Sequence, residues 1–142
     1  MLDAKKFQDP FTTAKGETRA SVTLKSLDTL WFNTGTQCNL SCENCYIESN
    51  PKNDRLVYIK ASEVACYLDE VQELSLLSME VGLSGGEPFL NPEIIDIIEA
   101  SLSRGFKTLV LTNAYRLMNR KKEQLISLNT KYPGQLTLRV SL

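Results

Sequence analysis

The chain has 142 residues, of which 42% are hydrophobic, with 17 acidic and 16 basic side chains, four cysteines and no histidine. Without histidine there is no Ser-His-Asp triad, no histidine general base and no zinc site of the Cys/His kind. A net charge of -1 and a pI near 5.5 lack the basic face that nucleic acid requires. Residues 1–20 carry little apolar periodicity and read, with residues up to 28, as an N-terminal extension. Their polar start, Met1 to Lys6, is no signal peptide, and nothing approaches the ~20 apolar residues of a membrane span. The chain therefore reads as cytoplasmic, where thiols stay reduced and serve as metal ligands or redox groups.

Within Ser21–Leu27, Val22, Leu24 and Leu27 suggest a short edge strand. Thr29–Thr36 (TLWFNTGT) is a stronger one, rich in aromatic and β-branched residues and punctuated by Gly35. Trp31 and Phe32 are both expected in the core. Gln37–Lys60 has no helical stripe and holds three of the four cysteines, and a loop of such length inside a small domain is usually functional. Ser62 is placed to cap a helix carrying Val64, Leu68, Val71 and Leu74. Met79, Val81 and Leu83 alternate as a strand running into Gly85-Gly86. Asn91 and Pro92 open a second helix with Ile94, Ile95, Ile97, Ile98 and Leu102, and Gly105 ends it. Phe106–Thr112 (FKTLVLT) reads as a strand buried on both faces. One helix near Arg116–Asn129 and a strand with Leu136, Leu138 and Val140 complete the pattern.

The alternation is β-α-β-α-β-α-β, which predicts an α/β fold of parallel strands with right-handed crossovers over residues 29–142. Functional loops of such folds collect beyond the C-terminal ends of the strands. The cysteine loop, Gly85–Pro88, Thr112-Asn113 and Ser141 all fall there. No repeat at fixed period interrupts this reading.

Cys38, Cys42 and Cys45 form a C-x3-C-x2-C pattern (CNLSCENC). Three thiols within eight residues can converge on one inorganic centre, and all-sulfur ligation selects zinc, copper(I) or an iron–sulfur cluster. A closed zinc site wants four ligands, so it would need Cys66 or an acidic side chain. Cys66 lies in a helical pattern between Ala65 and Tyr67 and reads as a small buried apolar residue. Three cysteines on a four-iron cluster would leave one iron open, which is what a catalytic centre requires. Gly85 and Gly86 allow a sharp turn and close approach to a ligand, Glu87 offers a carboxylate suited to an ammonium group, and Pro88 stiffens the turn.

C-x3-C-x2-C after the first strand and Gly-Gly-Glu-Pro after the second, in that order, resemble the radical S-adenosylmethionine superfamily, from about Thr29 onward. The resemblance implies a partial (β/α) barrel of the radical SAM type, with about three and a half βα units present. It implies a [4Fe-4S] cluster on Cys38, Cys42 and Cys45 whose open iron is chelated by S-adenosylmethionine. One-electron reduction would then give a 5'-deoxyadenosyl radical that abstracts hydrogen from a substrate the sequence does not identify. A flavodoxin- or ferredoxin-like protein would supply the electron. Gly85, Gly86, Glu87 and Pro88 would bind the methionine amino group, with Glu87 its nearest polar partner. Asn113 would contact the ribose or the methionine carboxylate, and Ser141 matches a further cofactor-touching position.

Two departures stand out. The family's aromatic residue before the third cysteine is Asn44 here, with Tyr46 on the other side of Cys45, so the adenine would rest on this segment's backbone with Tyr46 helping. Ala114 replaces the glycine of a Thr-Asn-Gly, so a different backbone course is expected. Asn33, Thr34 and Gln37 are candidates for donors to the cluster sulfurs. The basic residues Arg116, Arg120, Lys121 and Lys122 read as a solvated helix face. The competing readings are a metal- or cluster-binding module without radical chemistry and an inactive fragment of a longer protein. An unpaired last strand would favour self-association.

Overall fold

The computed structural model describes residues 8–75 and 79–141. The polar start at residues 1–6 and the terminal Leu142 lie outside the described residues. Four strands form one sheet in the order β1-β2-β3-β4: β1 Thr29–Asn33, β2 Glu80–Ser84, β3 Lys107–Thr112 and β4 Leu136–Val140. Every neighbouring pair is parallel, with Phe32 beside Leu83, Leu83 beside Val110 and Val110 beside Leu138. The helices are α1 Ala61–Glu73, α2 Ile94–Ser103, the short α3 Leu117–Arg120 and α4 Lys122–Lys131. Sequential strand order with right-handed crossovers stacks every helix on the same face of the sheet, the arrangement of a barrel wall.

Side-chain alternation then sorts the sheet. Phe32, Val81, Leu83 and Val110 point to the helices and share one buried core with Val64, Leu68, Ile94, Ile97, Ile98, Leu102 and Leu125. The other face is concave and uncovered among the described residues. Trp31 lies there, 49% exposed, with its indole over Gly82, where a Cβ would sit 2.4 Å from the ring. The expectation of a core tryptophan thus holds for Phe32 and fails for Trp31, because adjacent strand residues face opposite ways. For the same reason β3 is not buried on both faces: Thr108, Val110 and Thr112 are buried while Leu109 and Leu111 are partly open.

Several local expectations shift. Residues 21–27 form no strand, and Val22 is 96% exposed, because three spaced apolar residues find no neighbouring strand to pair with. The first strand stops at Asn33 and the chain turns at Gly35, whose φ is +132°. Helix α1 begins at Ala61, so Ser62 is not its cap. Instead the Lys60 amide donates to the Glu63 carboxylate at 2.8 Å and the Ala61 amide to Glu93 at 2.8 Å, and carboxylates at a helix N-terminus also favour its dipole. Leu74 lies just past the end of α1, half exposed. Helix α2 starts at Ile94, two residues beyond the expected Pro92, since Asn91 Oδ1 takes the Glu93 amide at 2.9 Å in a local turn. Gly105, at φ +84°, ends it as expected. The single third helix is two pieces broken at Lys121, and Arg116, Arg120 and Lys122 are exposed as a solvated face requires. Cys66 is exposed, not buried.

Candidate functional site

The loop after β1 is clasped at its base. Gln37 and Asn50 form a parallel bridge, and the Cys38 amide donates to the Asn50 carbonyl at 3.2 Å. Asn53 stiffens the far side: its side-chain amide donates to the Glu48 carbonyl at 3.1 Å, and its own carbonyl accepts from Thr36 Oγ1 at 3.1 Å. Between these ties the cysteines differ. Cys38 is buried, Cys45 half-buried and Cys42 exposed. Cys38 Sγ accepts from the Leu40 amide at 3.4 Å and from Asn113 Nδ2 at 3.7 Å, and Cys45 Sγ accepts from the Ser49 amide at 3.3 Å. Burial raises the Cys38 thiol above its ordinary pKa. The Leu40 amide opposes this, and the nearby Glu87 and Cys42 add to it. Among the described residues no three Cys, Asp or Glu side chains are gathered as a metal cage.

The glycine pair has a stricter duty than the sequence suggests. Gly86 donates its amide to the Gly35 carbonyl at 2.9 Å, and Glu87 donates its amide to the Gln37 carbonyl at 3.0 Å. A Cβ on Gly86 would stand 2.0 Å from the Gln37 carbonyl oxygen, and one on Gly85 would stand 2.6 Å from that of Gly35. The close approach that these glycines permit is therefore made to the backbone leading into Cys38.

Glu87 is 2% exposed. Its carboxylate accepts from Thr112 Oγ1 at 2.8 Å, the Asn113 amide at 2.9 Å and the Phe89 amide at 3.1 Å. It thus pins the end of β3 to the turn after β2 and still has acceptor capacity on Oε2. Pro88 is buried at the start of a single 3-10 turn, Pro88–Leu90. Asn113 carries the tie onward: Nδ2 reaches Asn39 Oδ1 at 3.0 Å as well as the Cys38 sulfur, while Oδ1 accepts from the Tyr115 amide at 2.8 Å. Ala114 takes φ +53°, a left-handed conformation that glycine adopts more readily than alanine. Ser141 follows β4, exposed, with its amide on the Thr112 carbonyl at 3.0 Å.

Asn44 and Tyr46 are exposed on the cysteine loop, Tyr46 by 90%. Tyr46 lines a pocket of 400 Å³ on the concave face together with Trp31, Asn33, Ser84 and Leu111. That lining contains no acid or base. Asn33, Thr34 and Gln37 do not reach the sulfurs: Asn33 Oδ1 accepts from the Gly35 amide, Thr34 Oγ1 donates to the Ser84 carbonyl, and Gln37 Oε1 accepts from the Tyr58 hydroxyl. Asn91, expected only to open the second helix, has a further role. It is 1% exposed, and its Nδ2 bonds the Thr34 and Ile59 carbonyls at 3.1 and 2.9 Å, tying both ends of the long loop to the turn before α2. Its only sequence signal was the turn-forming Asn-Pro pair, which does not say what the side chain holds.

The comparisons with known proteins agree with this geometry. The model of the radical SAM superfamily matches residues 32–139. The subtilosin biosynthesis protein AlbA of Bacillus subtilis is 30% identical over 111 residues, covering 78% of this chain and 23% of that protein. The GTP 3',8-cyclase of Microcystis aeruginosa is 27% identical over 103 residues, covering 68% of this chain and 30% of that protein. Streptococcus suis SuiB bound to its precursor peptide SuiA superposes with a TM-score of 0.67 at 24% identity, over 84% of this chain and 25% of that one. The SuiB structure bound to S-adenosylmethionine gives a TM-score of 0.65 at 23% identity, over 82% of this chain and 25% of that one. The chain thus spans about a quarter of the length of these relatives. The relatives are enzymes with a partial barrel, and their family uses a [4Fe-4S] cluster and S-adenosylmethionine. With well over half of its length matched by the family model, and its parallel sheet shared with the SuiB structures, the chain belongs to the radical SAM superfamily.

Proposed function

We propose that this chain is the cofactor-binding part of a radical SAM enzyme, in which Cys38, Cys42 and Cys45 hold a [4Fe-4S] cluster beside a bound S-adenosylmethionine. The observation that carries the reading is the continuous tie along the strand ends. The turn at Gly85–Pro88 is bonded to residues 35–37, Glu87 to Thr112 and Asn113, and Asn113 to Asn39 and the Cys38 sulfur. Three separate sequence motifs thereby become one surface.

The donor set fits the cluster. It is all sulfur, it supplies three ligands and not four, and two of the sulfurs already accept backbone amides, the environment a cluster thiolate favours. Cys42 already lies near enough to Cys38 to add to its pKa shift, and all three sulfurs belong to one loop whose base is clasped. When bound, the cluster and S-adenosylmethionine supply one-electron reductive chemistry at a sulfonium.

The protein's own residues hold and shield. The Gly85–Pro88 turn and Asn113 form the cradle for the methionine moiety, and the Oε2 atom of Glu87 retains acceptor capacity for an ammonium. Asn44, Tyr46 and Ser141 border the same rim and complete the cofactor contacts. The uncharged pocket of Trp31, Tyr46 and Leu111 opens beside it on the concave face and admits the reacting part of the substrate, out of water. A flavodoxin- or ferredoxin-like protein delivers the electron. The outer edge of β4 pairs with no strand among the described residues, and we read it as the place where further strands add, from a longer protein or a second copy.

The test is anaerobic reconstitution of the chain and of Cys38→Ala, Cys42→Ala and Cys45→Ala, followed by EPR of the reduced proteins with and without S-adenosylmethionine. The chain should give a [4Fe-4S] signal that the cofactor perturbs, and each variant should lose most of its iron. Full iron loading in all three variants, or stoichiometric zinc without an EPR signal, would overturn the reading.

A further inference from the structure

Two buried side-chain polar atoms among the described residues have no hydrogen-bond partner, Ser49 Oγ and Gln135 Oε1, and only the first belongs to the cysteine loop. A buried hydroxyl without a partner costs about 1–3 kcal/mol, so its retention calls for an explanation such as an ion or ligand that it meets. Ser49 is 5% exposed, four residues after Cys45, and its backbone amide already donates to Cys45 Sγ at 3.3 Å. Several neighbouring loop carbonyls already accept hydrogen bonds. Asn53 Nδ2 occupies those of Glu48 and Ile47, and the Asn50 carbonyl accepts from the Cys38 and Asn53 amides. Within one side chain a serine Oγ lies about 3–4 Å from its own amide nitrogen, whatever its rotamer. The buried, unpartnered hydroxyl thus belongs to the residue whose own amide already donates to Cys45 Sγ.

We propose that Ser49 is a positioning residue for the cluster, donating its hydroxyl hydrogen bond to the Cys45 thiolate or to an adjacent cluster sulfide. This rests on the cluster reading above. The physical consequence concerns the potential. Reduction adds negative charge to the cluster, and each donor aimed at its sulfurs stabilises the reduced form more than the oxidised one. A residue giving both an amide and a hydroxyl at Cys45 raises the midpoint potential and makes the electron easier to accept. In the cluster-free chain the hydroxyl bonds to no protein group among the described residues. It acts once sulfur carries charge.

The experiment compares the full chain with Ser49→Ala and Ser49→Thr in two measurements. In the cluster-free proteins, thermal unfolding should show Ser49→Ala as stable as the parent or more so, since the substitution removes an unpartnered hydroxyl. In the reconstituted proteins, EPR-monitored redox titration should place Ser49→Ala at a more negative midpoint potential than the parent, with Ser49→Thr restoring most of the shift. A clear loss of stability in cluster-free Ser49→Ala would overturn the proposal, because it would mean the hydroxyl serves the fold. So would equal midpoint potentials in parent and Ser49→Ala. A parent chain that takes up no cluster overturns the cluster reading itself, and is told apart because no potential can then be recorded for any of the three proteins.

Discussion

Two stretches of the same rim behave differently. The turn after β2 and the end of β3 are a finished scaffold: Glu87 is buried with three partners, Gly85 and Gly86 pack against carbonyls, and Asn91 and Thr112 are buried and bonded. The middle of the cysteine loop is the opposite. Cys42, Asn44 and Tyr46 are exposed, while the loop is tied at its base, through Cys38 and Asn39 to Asn113, and along its Cys45–Asn53 side. The difference teaches how such a site divides its labour. Binding a flexible small molecule needs a preformed cradle, because ordering costs are then met in folding. Holding a metal centre needs thiols whose final placement the metal itself completes, because metal–thiolate bonds supply the free energy for ordering.

The comparison can be broken on its rigid side. Gly86→Ala should have the largest effect on the fold, since its Cβ would stand 2.0 Å from the Gln37 carbonyl oxygen and backbone cannot step aside cheaply. We expect a loss on the order of 3 kcal/mol, read as a lower urea midpoint. By contrast Cys42→Ala, at an exposed position, should lose cluster iron and leave the midpoint unchanged. A Gly86→Ala protein as stable as the parent would show that the tie between the two loops is soft.

Glu87→Ala comes next. It would strand the Thr112 hydroxyl and the Asn113 and Phe89 amides in a buried site, at a cost of about 2 kcal/mol by chemical denaturation. Because Asn113 also reaches Cys38, the same variant should load iron less completely than the parent under identical reconstitution. Unimpaired loading would separate the rigid scaffold from the cluster loop.

The smallest effect has the opposite sign. Ala114 sits at φ +53°, a left-handed conformation that costs a side-chain-bearing residue roughly 1 kcal/mol. Ala114→Gly should relieve that strain, offset in part by the greater freedom of glycine in the unfolded chain. The expected outcome is a stabilisation of about 0.5 kcal/mol, or a melting point slightly above the parent's. A destabilised Ala114→Gly would mean that the alanine methyl makes a packing contact outweighing its backbone strain.

Much of this was legible in the chain. Periodicity marked four strands and their helices because parallel strands and crossover helices leave different apolar spacings, and the motifs fell at strand ends because such folds place their loops there. Several of the misreadings share one cause. Trp31, Leu74, Cys66 and the Val22, Leu24 and Leu27 of the span 21–27 are apolar by type, but residue type does not say which side of a sheet or helix is covered. The break at Lys121 and the true start of α1 were also illegible. The amides at that start are capped from within by Glu63 and from 32 residues away by Glu93.

The sequence by itself determined the chemistry: three thiols at C-x3-C-x2-C spacing, a Gly-Gly-Glu-Pro turn, and a parallel β/α order that sends both to one rim. Only the tertiary structure decided what those residues do for one another. The glycines yield space to the backbone before Cys38, Glu87 binds β3, and Ser49 keeps a buried hydroxyl without a partner beside Cys45. The physical reason is that ligand chemistry resides in the identity and local spacing of side chains. Contact, burial and hydrogen-bond satisfaction depend on pairs of groups far apart in the chain, and these meet only when the sheet assembles.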